Sequence, residues 1–345
     1  MRALSRLDGD EGPVPRRVRL VFLSLTLAAV VLFVCDRAKV KEPDSAPTPL
    51  PAASATPVSL SAKLSFPAPE RLVAIGDLHG DLDHARRALM LAGAIDAQNR
   101  WIGGRLVVVQ TGDEIDRGDD DRAILDLVED LKRQAAAAGG ALVALLGNHE
   151  IMNASLDFRY VTAGGFAAFP AHPGDDLAIA ATAPQEQRGR ITAFAPGGPY
   201  ATLLARRPLF ARVGDSVFVH GGVLPKHLAY GLDRMNDQVD DWLLGKHHEP
   251  PSSVTAEDGP VWTRVYSTED ADAGCSDVTR VLERLGAKRM VVGHTVQHRG
   301  VNDTCAGAVW RIDVGLAHYF GGPIEALEIE GDSVRILREA TPTDR

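Results

Sequence analysis

The stretch ALVALLGNHE, residues 141–150, decides the fold of this chain. An apolar run leads up to Gly147, and an amide, an imidazole and a carboxylate then follow in Asn148, His149 and Glu150. Such a run, ending at a glycine, is typical of a strand buried on both faces of a parallel sheet. Polar groups at a buried strand end cost free energy unless something binds them. The stretch therefore predicts a functional strand end whose partners must lie elsewhere in the chain.

Two earlier segments repeat this arrangement. RLVAIG (71–76) and RLVVVQTG (105–112) are largely apolar up to a glycine, and amphipathic helical patterns follow them at 81–93 and 121–140. Strands and helices that alternate at this spacing predict parallel βαβ units with both sheet faces covered. Further strands are predicted at 209–213, 217–220, 289–293, 309–313, 324–329 and 333–337, and further helices at 235–244 and 277–285.

The composition is that of a globular protein. The chain has 345 residues, 45% hydrophobic residues and a formal net charge of −9. This length suffices for one large or two ordinary domains with a sizeable core. Because the body of the chain has no long basic block, we expect no nucleic-acid partner, although a local positive pocket for one anion is compatible with this charge. Nothing in the sequence indicates an oligomeric state.

The N-terminus is organised differently from the rest. Residues 1–19 form a short tail in which Arg16, Arg17 and Arg19 precede an uncharged apolar run at 20–35. The run predicts an uncleaved signal-anchor, with a cleaved signal peptide and a buried helix as alternatives. Positive charge before the run places the folded part outside the cytoplasm. We expect a protein anchored in the inner membrane with its catalytic domain in the periplasm, or a periplasmic protein if the segment is cleaved.

A tract rich in proline and alanine follows. Residues 36–69 contain Pro43, Pro47, Pro49, Pro51, Pro57, Pro67 and Pro69. Such a tract is extended and cannot build a core, so it predicts a flexible linker. The folded domain is expected at 70–340, and the segment 161–200, rich in Gly, Ala and Pro, is expected to be a loop or cap insertion within it.

Two cysteines, Cys275 and Cys305, lie in the predicted folded part. In an exported domain, two cysteines are compatible with a single disulfide. Two buried thiols are the alternative, since the sequence does not show that their Cα atoms come within bridging distance.

Five predicted strand ends carry side chains that can hold a metal ion. These residues are Asp77, His79, Asp113, Asn148, His220 and His294. Since ligands gather beyond the carboxyl ends of parallel strands, we expect the five clusters to converge. Carboxylate, amide and imidazole ligands without cysteine suit manganese, iron or zinc. Six side chains are too many for one four-coordinate ion and fit two divalent ions with a bridging carboxylate.

The chemistry expected of such a pair of ions is phosphate ester hydrolysis. Two ions about 3.5–4 Å apart can activate water and clamp a phosphoryl group. Arg117 lies beside the predicted cluster, and a planar guanidinium matches phosphate oxygens.

At this point the motifs resemble those of a known family. GDLHG (76–80), GDEIDRG (112–118), GNHE (147–150) and HGG (220–222), in this order, are similar to the signature of the phosphoprotein phosphatase family of metallophosphoesterases. The resemblance spans roughly residues 72–317. It implies the calcineurin-like fold, an α/β protein with a four-layer α/β/β/α sandwich and two mixed β-sheets, here preceded by the apolar anchor helix and the linker.

Three later motifs indicate a branch of that family. GHT (293–295) differs from the eukaryotic serine/threonine enzymes, which usually have an Arg two places before the His. This motif, GPVWTR (259–264) and IDVG (312–315) are closer to the Shewanella-like protein phosphatases.

The resemblance also implies a role for each site residue. Asp77, His79 and Asp113 would hold one metal, and Asp113, Asn148, His220 and His294 would hold the other. His149 resembles the general acid that protonates the leaving alcohol, with Asp116 as the residue that orients it. Arg117 matches the first phosphate-binding arginine, and Arg264 is the candidate for the second.

The implied activity is hydrolysis of phosphate monoesters by a hydroxide that bridges two metal ions, manganese first, with iron or zinc as alternatives. The substrate would be a protein that carries phosphotyrosine or phosphoserine/threonine. Small phosphomonoesters and dinucleoside polyphosphates are alternatives, although hydrolases of the latter usually have Ala where this chain has Asp116.

Two rivals belong to other classes. An inactive phosphoprotein-binding module should have lost at least one ligand, and the sequence retains all of them. A cysteine-based phosphatase needs an Arg six residues after its nucleophile, and Arg280 follows Cys275 one residue too early.

Overall fold

The computed structural model describes residues 57–171, 178–268 and 271–339. The β-strands in these ranges are β1 (Ser65–Phe66), β2 (Leu72–Ile75), β3 (Val107–Gln110), β4 (Ala141–Ala144), β5 (Phe210–Val213), β6 (Ser216–Val219), β7 (Arg289–Val292), β8 (Asn302–Thr304), β9 (Val309–Arg311), β10 (Glu325–Glu330) and β11 (Ser333–Arg338). The α-helices are α1 (Leu82–Leu91), α2 (Asp121–Ala137), α3 (Asn148–Ala154), α4 (Ala163–Ala167), α5 (Ala178–Thr182), α6 (Arg188–Phe194), α7 (Pro199–Leu204), α8 (Pro225–Tyr230), α9 (Leu232–Leu243), α10 (Ser252–Thr255) and α11 (Cys275–Leu285).

The first sheet has the strand order β11-β10-β2-β3-β4. Strands β2, β3 and β4 are parallel, with Val73 opposite Val108 and Val108 opposite Leu142. Parallel neighbours need crossover connections, which α1 and α2 provide. Strand β10 pairs antiparallel with both β2 and β11. The predicted βαβ units and the two predicted C-terminal strands are therefore confirmed.

The second sheet has the order β1-β5-β6-β7-β9-β8. Strands β6, β7 and β9 are parallel neighbours, whereas β5 runs antiparallel to β6 and β8 runs antiparallel to β9. Both sheets are thus mixed, and the predicted α/β class with two mixed sheets is confirmed.

The two sheets share a core, and helices pack outside it. Phe218 of β6 belongs to the buried cluster that also contains Val73 of the first sheet and Ile124 of α2. Its neighbour Val217 points to the opposite face and packs in a second cluster with Met235 of α9. Alternating strand residues therefore contact a sheet on one side and helices on the other, as a four-layer sandwich requires.

The structure places part of the predicted linker in the core. Residues 57–69 lie within the predicted linker 36–69, yet Leu64 is fully buried and Ser65 pairs with Arg212 of β5. The folded part therefore begins before Glu70. A strand of two residues is too short to show an alternating pattern, so the sequence does not reveal it.

The segment 161–200, predicted as a loop or cap insertion, contains the short helices α4 to α6 and the first residues of α7. Thr162 caps α4, since its hydroxyl accepts a hydrogen bond from the Gly165 N–H. These helices have five to seven residues each, too few for an amphipathic period to show.

The N-terminal anchor and the state of the two cysteines are also predicted from the sequence. The predicted anchor at 20–35 lies outside the described residues. Among the helices within those residues, none is both long enough and apolar enough to cross a membrane. Cys275, at the start of α11, and Cys305, after β8, form a disulfide with their Cα atoms 5.2 Å apart.

Candidate metal centre

Backbone hydrogen bonds join the loops that follow the strands. The N–H groups of Leu78 and His79 donate to the carbonyl of Asp113, at 2.9 and 3.0 Å. The His149 N–H donates to Oδ1 of Asp113 at 2.9 Å, and the His294 N–H donates to Oδ2 of Asp77 at 3.1 Å. The loops after β2, β3, β4 and β7 are therefore held together, although they are distant in sequence.

Glycine allows these loops to approach one another. A Cβ atom on Gly147 would lie 2.1 Å from Oδ1 of Asp113, far inside any real contact. Gly112 has a φ of +96°, and a Cβ there would lie 2.5 Å from the backbone nitrogen of Gly147. The apolar-to-glycine pattern thus reflects close packing of two backbones beneath the site.

Left-handed backbone conformations are concentrated in the same place. Non-glycine residues with φ between 47° and 73° include His79, Asp113, Asp116, Arg117 and His294. Such conformations cost about 1–3 kcal/mol each and persist where the surrounding structure imposes them, which is characteristic of functional sites.

The first ligand group lies beyond β2 and β3. Nε2 of His79 is 3.9 Å from Oδ2 of Asp77 and 3.9 Å from Oδ2 of Asp113. All three side chains are buried. Distances of this size leave room for one ion at about 2.0–2.2 Å from each ligand atom.

The second ligand group shares Asp113 with the first. Nε2 of His220 lies 3.2 Å from Oδ2 of Asp113 and 2.9 Å from Oδ1 of Asn148. The ligand atoms of Asp113, His220 and His294 all lie within 4.8 Å of one another. Asp113 is therefore placed between two sets of ligands, as a bridging carboxylate must be.

Backbone carbonyls hold the ligand imidazoles by their outward nitrogens. Nδ1 of His79 lies 3.3 Å from the carbonyl of Ile115, and Nδ1 of His220 lies 2.9 Å from that of Thr111. A carbonyl only accepts, so each of these nitrogens carries the proton and Nε2 presents its lone pair to the site. His294 is oriented in the opposite sense, with Nε2 3.0 Å from the carbonyl of Trp262 and Nδ1 free to act as the ligand atom.

Electrostatics in the cluster favour bound cations. Burial and, to a smaller extent, the charge of the nearby His149 lower the pKa of His79 to about 3. Burial and, to a smaller extent, the charges of His220 and Arg264 lower the pKa of His294 to about 2. The imidazoles of His79 and His294 are therefore neutral near pH 7. Burial and the charges of Asp313 and Asp113 raise the pKa of Asp77 well above its usual value, which is the response expected where carboxylates crowd together without a counter-charge.

His149 differs from the other imidazoles. Its Nδ1 lies 2.6 Å from Oδ2 of Asp116, and its Nε2 lies 3.8 Å from Oδ2 of Asp113. Burial lowers the pKa of His149, but the charge of Asp113 and the hydrogen bond to Asp116 together raise it above its ordinary value. Geometry alone would allow His149 to complete a metal group with His79 and Asp113. What distinguishes it from the ligand imidazoles is that a carboxylate, that of Asp116, and not a backbone carbonyl accepts from its Nδ1.

Arg117 lies against aromatic rings at the rim of the site. Its guanidinium carbon is 4.1 Å from the ring centroid of Tyr160 and 5.0 Å from that of Tyr319. Nη1 donates to the Tyr319 hydroxyl at 3.1 Å. Among the described residues, its buried Nε–H has no hydrogen-bond partner. An arginine held in this way retains a donor for an oxyanion.

Arg264 reaches the site from the segment before α11. Its Nη1 donates to the carbonyl of His294 and to Oγ1 of Thr295, both at 2.8 Å. Arg264 and Arg117 line a cavity of about 140 Å³ together with metal-ligand candidates and His149. The volume suits a phosphoryl group rather than a whole large ligand. The structure thus brings together all ten site residues predicted from the sequence.

Glu150 braces the two loops that meet at Gly147. Oε2 of Glu150 accepts from the N–H groups of Gly147 and Asp113 at 2.7 and 2.9 Å, and Oε1 accepts from the Glu114 N–H at 2.8 Å. It therefore holds the loop after β3 in addition to the start of α3. Burial and the charges of Asp113 and Glu114 raise its pKa to about 7.

The sequence prediction omits several polar residues of the site. Asp313 follows β9 and lines the cavity, and burial raises its pKa to about 6. The strand-end pattern that marks the other carboxylates also marks Asp313 in IDVG. Asn153 and Arg190 both contact Asp116, and no local pattern identifies either of them.

Comparison with known proteins agrees with this geometry. Residues 70–298 match the calcineurin-like phosphoesterase family. Shewanella-like protein phosphatase 2 of Arabidopsis thaliana is 41% identical over 306 residues, which cover 79% of this chain and 78% of that protein. A mutant of a cold-active protein tyrosine phosphatase superposes with a TM-score of 0.64 at 25% identity, over 81% of this chain and 86% of that one.

A second structure shares the fold. The cold-active protein-tyrosine phosphatase of a psychrophilic Shewanella sp. superposes with a TM-score of 0.63 at 24% identity, over 79% of this chain and 82% of that one. The predicted family resemblance and the predicted phosphoester hydrolysis are thereby confirmed. This chain belongs to the calcineurin-like phosphoesterase family, in its Shewanella-like protein phosphatase branch, and is a phosphoester hydrolase.

Proposed function

We propose that this chain is a phosphatase with two divalent metal ions, preferably manganese, that removes phosphate from phosphotyrosine in proteins. One observation carries the proposal. His149, whose Nδ1 bonds to Asp116, shares a small cavity with candidate metal ligands that include Asp113 and with Arg117 and Arg264.

The metal ligands and the two arginines bind different groups, the ions and the phosphoryl oxygens. When bound, the two ions activate water and neutralise charge on the phosphoryl oxygens. Asp77 and His79 would hold one ion, and Asn148, His220 and His294 would hold the other. Asp113 belongs to both sets. Arg117 and Arg264, which line the same cavity, would donate to the phosphoryl oxygens and orient the ester.

His149 completes the reaction as general acid. Water adds to phosphorus while the bond between phosphorus and the ester oxygen breaks. Nε2 of His149 gives its proton to the departing oxygen, and Nδ1 keeps its hydrogen bond to Asp116. Inorganic phosphate and the free alcohol are the products. The positive charge that His149 needs for this step agrees with its raised pKa.

The rim of the cavity favours an aromatic ester. Tyr160, Tyr319 and Phe320 surround Arg117, and the first two are exposed large hydrophobic residues. A phenyl ring beside the phosphoryl group would pack against them. The relatives named above as protein tyrosine phosphatases support the same substrate class. A hydrolase of dinucleoside polyphosphates is less favoured, because Asp116 here bonds to His149.

We also propose that the folded part lies outside the cytoplasm, anchored by residues 20–35. The uncharged run after a basic tail supports this placement, and so does the disulfide between Cys275 and Cys305, since disulfides persist in oxidising compartments. A reporter active only outside the cytoplasm, fused after Arg345, should be active. A reporter active only in the cytoplasm should be silent in the same fusion.

A substrate panel tests the proposed activity. The purified chain with manganese is assayed on one peptide sequence that carries phosphotyrosine, phosphoserine or phosphothreonine, and on a sugar phosphate and a dinucleoside polyphosphate. We expect the highest kcat/KM on phosphotyrosine and no activity after chelation. A preference for the sugar phosphate or the dinucleotide would reject the protein substrate, and activity that survives chelation would reject the metal mechanism.

A further inference from the structure

Arg190 is a fully buried arginine in the segment 161–200, which is predicted to be a loop or cap insertion. It lies on α6 with no exposed side-chain surface. A buried guanidinium is costly unless each of its nitrogens finds a partner. Arg190 satisfies this condition in one place, directly behind Asp116.

Every guanidinium nitrogen of Arg190 is engaged. Nη2 donates to Oδ1 of Asp116 at 3.1 Å, and Nε donates to Oδ1 of Asn153 at 2.8 Å. Nη1 donates to the carbonyl of Gly165 at 2.8 Å and pairs with Oδ2 of Asp121 at 2.7 Å. The planar fork is thus fixed in orientation by four groups from different parts of the chain.

Two phenylalanines close the remaining faces. The guanidinium carbon lies 4.9 Å from the ring centroid of Phe194 and 5.2 Å from that of Phe169. Cation–π contacts of this kind hold the charge in place and exclude water. Arg190 therefore has little freedom to move away from Asp116.

The partners of Arg190 also hold Asp116 directly. The amide of Asn153, itself an acceptor for Arg190, donates to Oδ1 and Oδ2 of Asp116 at 3.0 and 3.1 Å. Oδ1 of Asp121 accepts from the Asp116 N–H at 2.9 Å, which fixes the backbone at a left-handed φ of 70°. Arg190 links both supports, so its loss would loosen the carboxylate from two sides.

The carboxylate held in this way orients the proton donor. Oδ2 of Asp116 accepts from Nδ1 of His149, which leaves Nε2 facing the metal ligands. Rotation of the Asp116 carboxylate would turn the ring or release it. The helix α6 thus acts on a side chain of α3 through one carboxylate.

We propose that Arg190 is a positioning residue for catalysis, which fixes Asp116 so that Nε2 of His149 points at the departing ester oxygen. The inference rests on the proposed role of His149 as general acid. It assigns a function to the segment 161–200: this segment carries the arginine that aligns the acid. Arg190 itself touches neither the substrate nor the metals.

The test uses the dependence of rate on the leaving group. A general acid contributes about 10²–10⁴-fold where the departing oxygen is strongly basic and little where it leaves unaided. For Arg190→Met we expect kcat to fall about thirtyfold on phenyl phosphate but only about threefold on p-nitrophenyl phosphate. KM and the bound manganese should stay unchanged on both. An equal loss on the two esters would overturn the proposal.

A double-mutant cycle separates positioning from general support. In a His149→Asn background no acid remains to be aligned, so adding Arg190→Met should cost less than about twofold. If the double variant instead loses the product of the two single losses in kcat, Arg190 acts independently of His149, which would contradict the proposal. Arg190→Lys, which preserves the charge but not the fork, should fold and show a smaller loss with the same leaving-group bias. This variant decides the question if Arg190→Met does not fold, since an unbiased loss would again overturn the proposal.

A matched control and a wild-type reference make the outcome specific. Arg289 is also a nearly buried arginine, but it pairs with Asp215 and Ser216 at the other end of the second sheet. Arg289→Met should reduce stability without any leaving-group bias. If the wild-type chain hydrolyses neither ester, the proposed phosphatase function fails. If it hydrolyses both and Arg190→Met shows no bias, only the present inference fails.

Discussion

Nε2 of His220 lies 2.9 Å from Oδ1 of Asn148, and both atoms are acceptors when the ring is neutral and its proton is on Nδ1. In the neutral ring, the opposite nitrogen of His220 donates to the carbonyl of Thr111 and Nε2 keeps its lone pair. The Asn148 amide nitrogen faces the sulfur of Met152 at 3.8 Å, which turns its oxygen toward the histidine. Two lone pairs at this distance repel each other unless a cation lies beside both. The pair is therefore arranged for a metal ion.

Metal binding should stabilise the fold measurably. Manganese added to chelator-stripped protein should raise the melting temperature, because an ion at one hundred times its Kd adds about 2.7 kcal/mol to the free energy of unfolding. Differential scanning fluorimetry measures the shift. Asp113→Asn, which weakens both sites, should abolish most of it. A melting temperature indifferent to manganese in the wild-type protein would contradict the assignment of the ligands.

The proton-donor role of His149 has a distinct signature in the pH profile. The acid must be protonated to act, so kcat should fall as pH rises through a pKa above the ordinary imidazole value of about 6.5. In His149→Asn we expect kcat to be about 10²–10⁴-fold lower on phenyl phosphate, with the decline at high pH gone and metal content preserved. A variant that retains the same decline would assign that titration to another group.

Arg117 should bind the phosphoryl group rather than support the fold. Charge-assisted hydrogen bonds contribute about 1.5–3 kcal/mol, so Arg117→Ala should raise the inhibition constant of inorganic phosphate about tenfold to hundredfold. Arg159 provides the control, because it is exposed nearby and pairs with Asp157. Arg159→Ala should leave the constant unchanged. Equal effects of the two substitutions would indicate only a general change of surface charge.

The disulfide should contribute substantially to stability. It closes a loop between cysteines 30 residues apart, which corresponds to about 3.5 kcal/mol of unfolded-state entropy. Cys275→Ser combined with Cys305→Ser should lower the free energy of unfolding by about that amount in urea titrations. Wild-type protein kept reduced should behave in the same way. A double variant as stable as the oxidised wild type would argue against the bridge.

The residues before Glu70 should be part of the folded unit. Leu64 is fully buried in the core beside the second sheet, so Leu64→Ala should lower the free energy of unfolding by about 2–5 kcal/mol. Ser59 is exposed in the same stretch, and Ser59→Ala should change it by less than about 0.5 kcal/mol. Chemical denaturation distinguishes the two. If Leu64→Ala and Ser59→Ala both change the free energy of unfolding only slightly, the folded part begins near Glu70, as the sequence predicts.

The sequence predicts those parts of the fold whose physics is local. Strand β2 coincides with the predicted apolar run 72–75 because a strand buried on both faces needs an unbroken hydrophobic segment. The metal ligands follow such segments directly, so the rule that ligands lie at carboxyl strand ends locates them together. Even so, each strand end is ambiguous alone, and their repetition carries the prediction.

The remaining features depend on contacts that no local pattern records. No sequence pattern identifies Arg190, because its contact with Asp116 forms only when α6 packs against the loop after β3. The short helices of 161–200 are stabilised by packing and not by periodicity. Strand β1 has only two residues and is stabilised by pairing with β5. These are tertiary effects, and the structure is needed to detect them.

The most direct measurement of the central claim is the metal content of active protein, determined by mass spectrometry of purified chain after reconstitution with manganese and removal of free ions. We expect two divalent ions per chain in wild-type protein, loss of both in Asp113→Asn, and loss of activity in parallel. Fully active protein that holds one ion or none would contradict it.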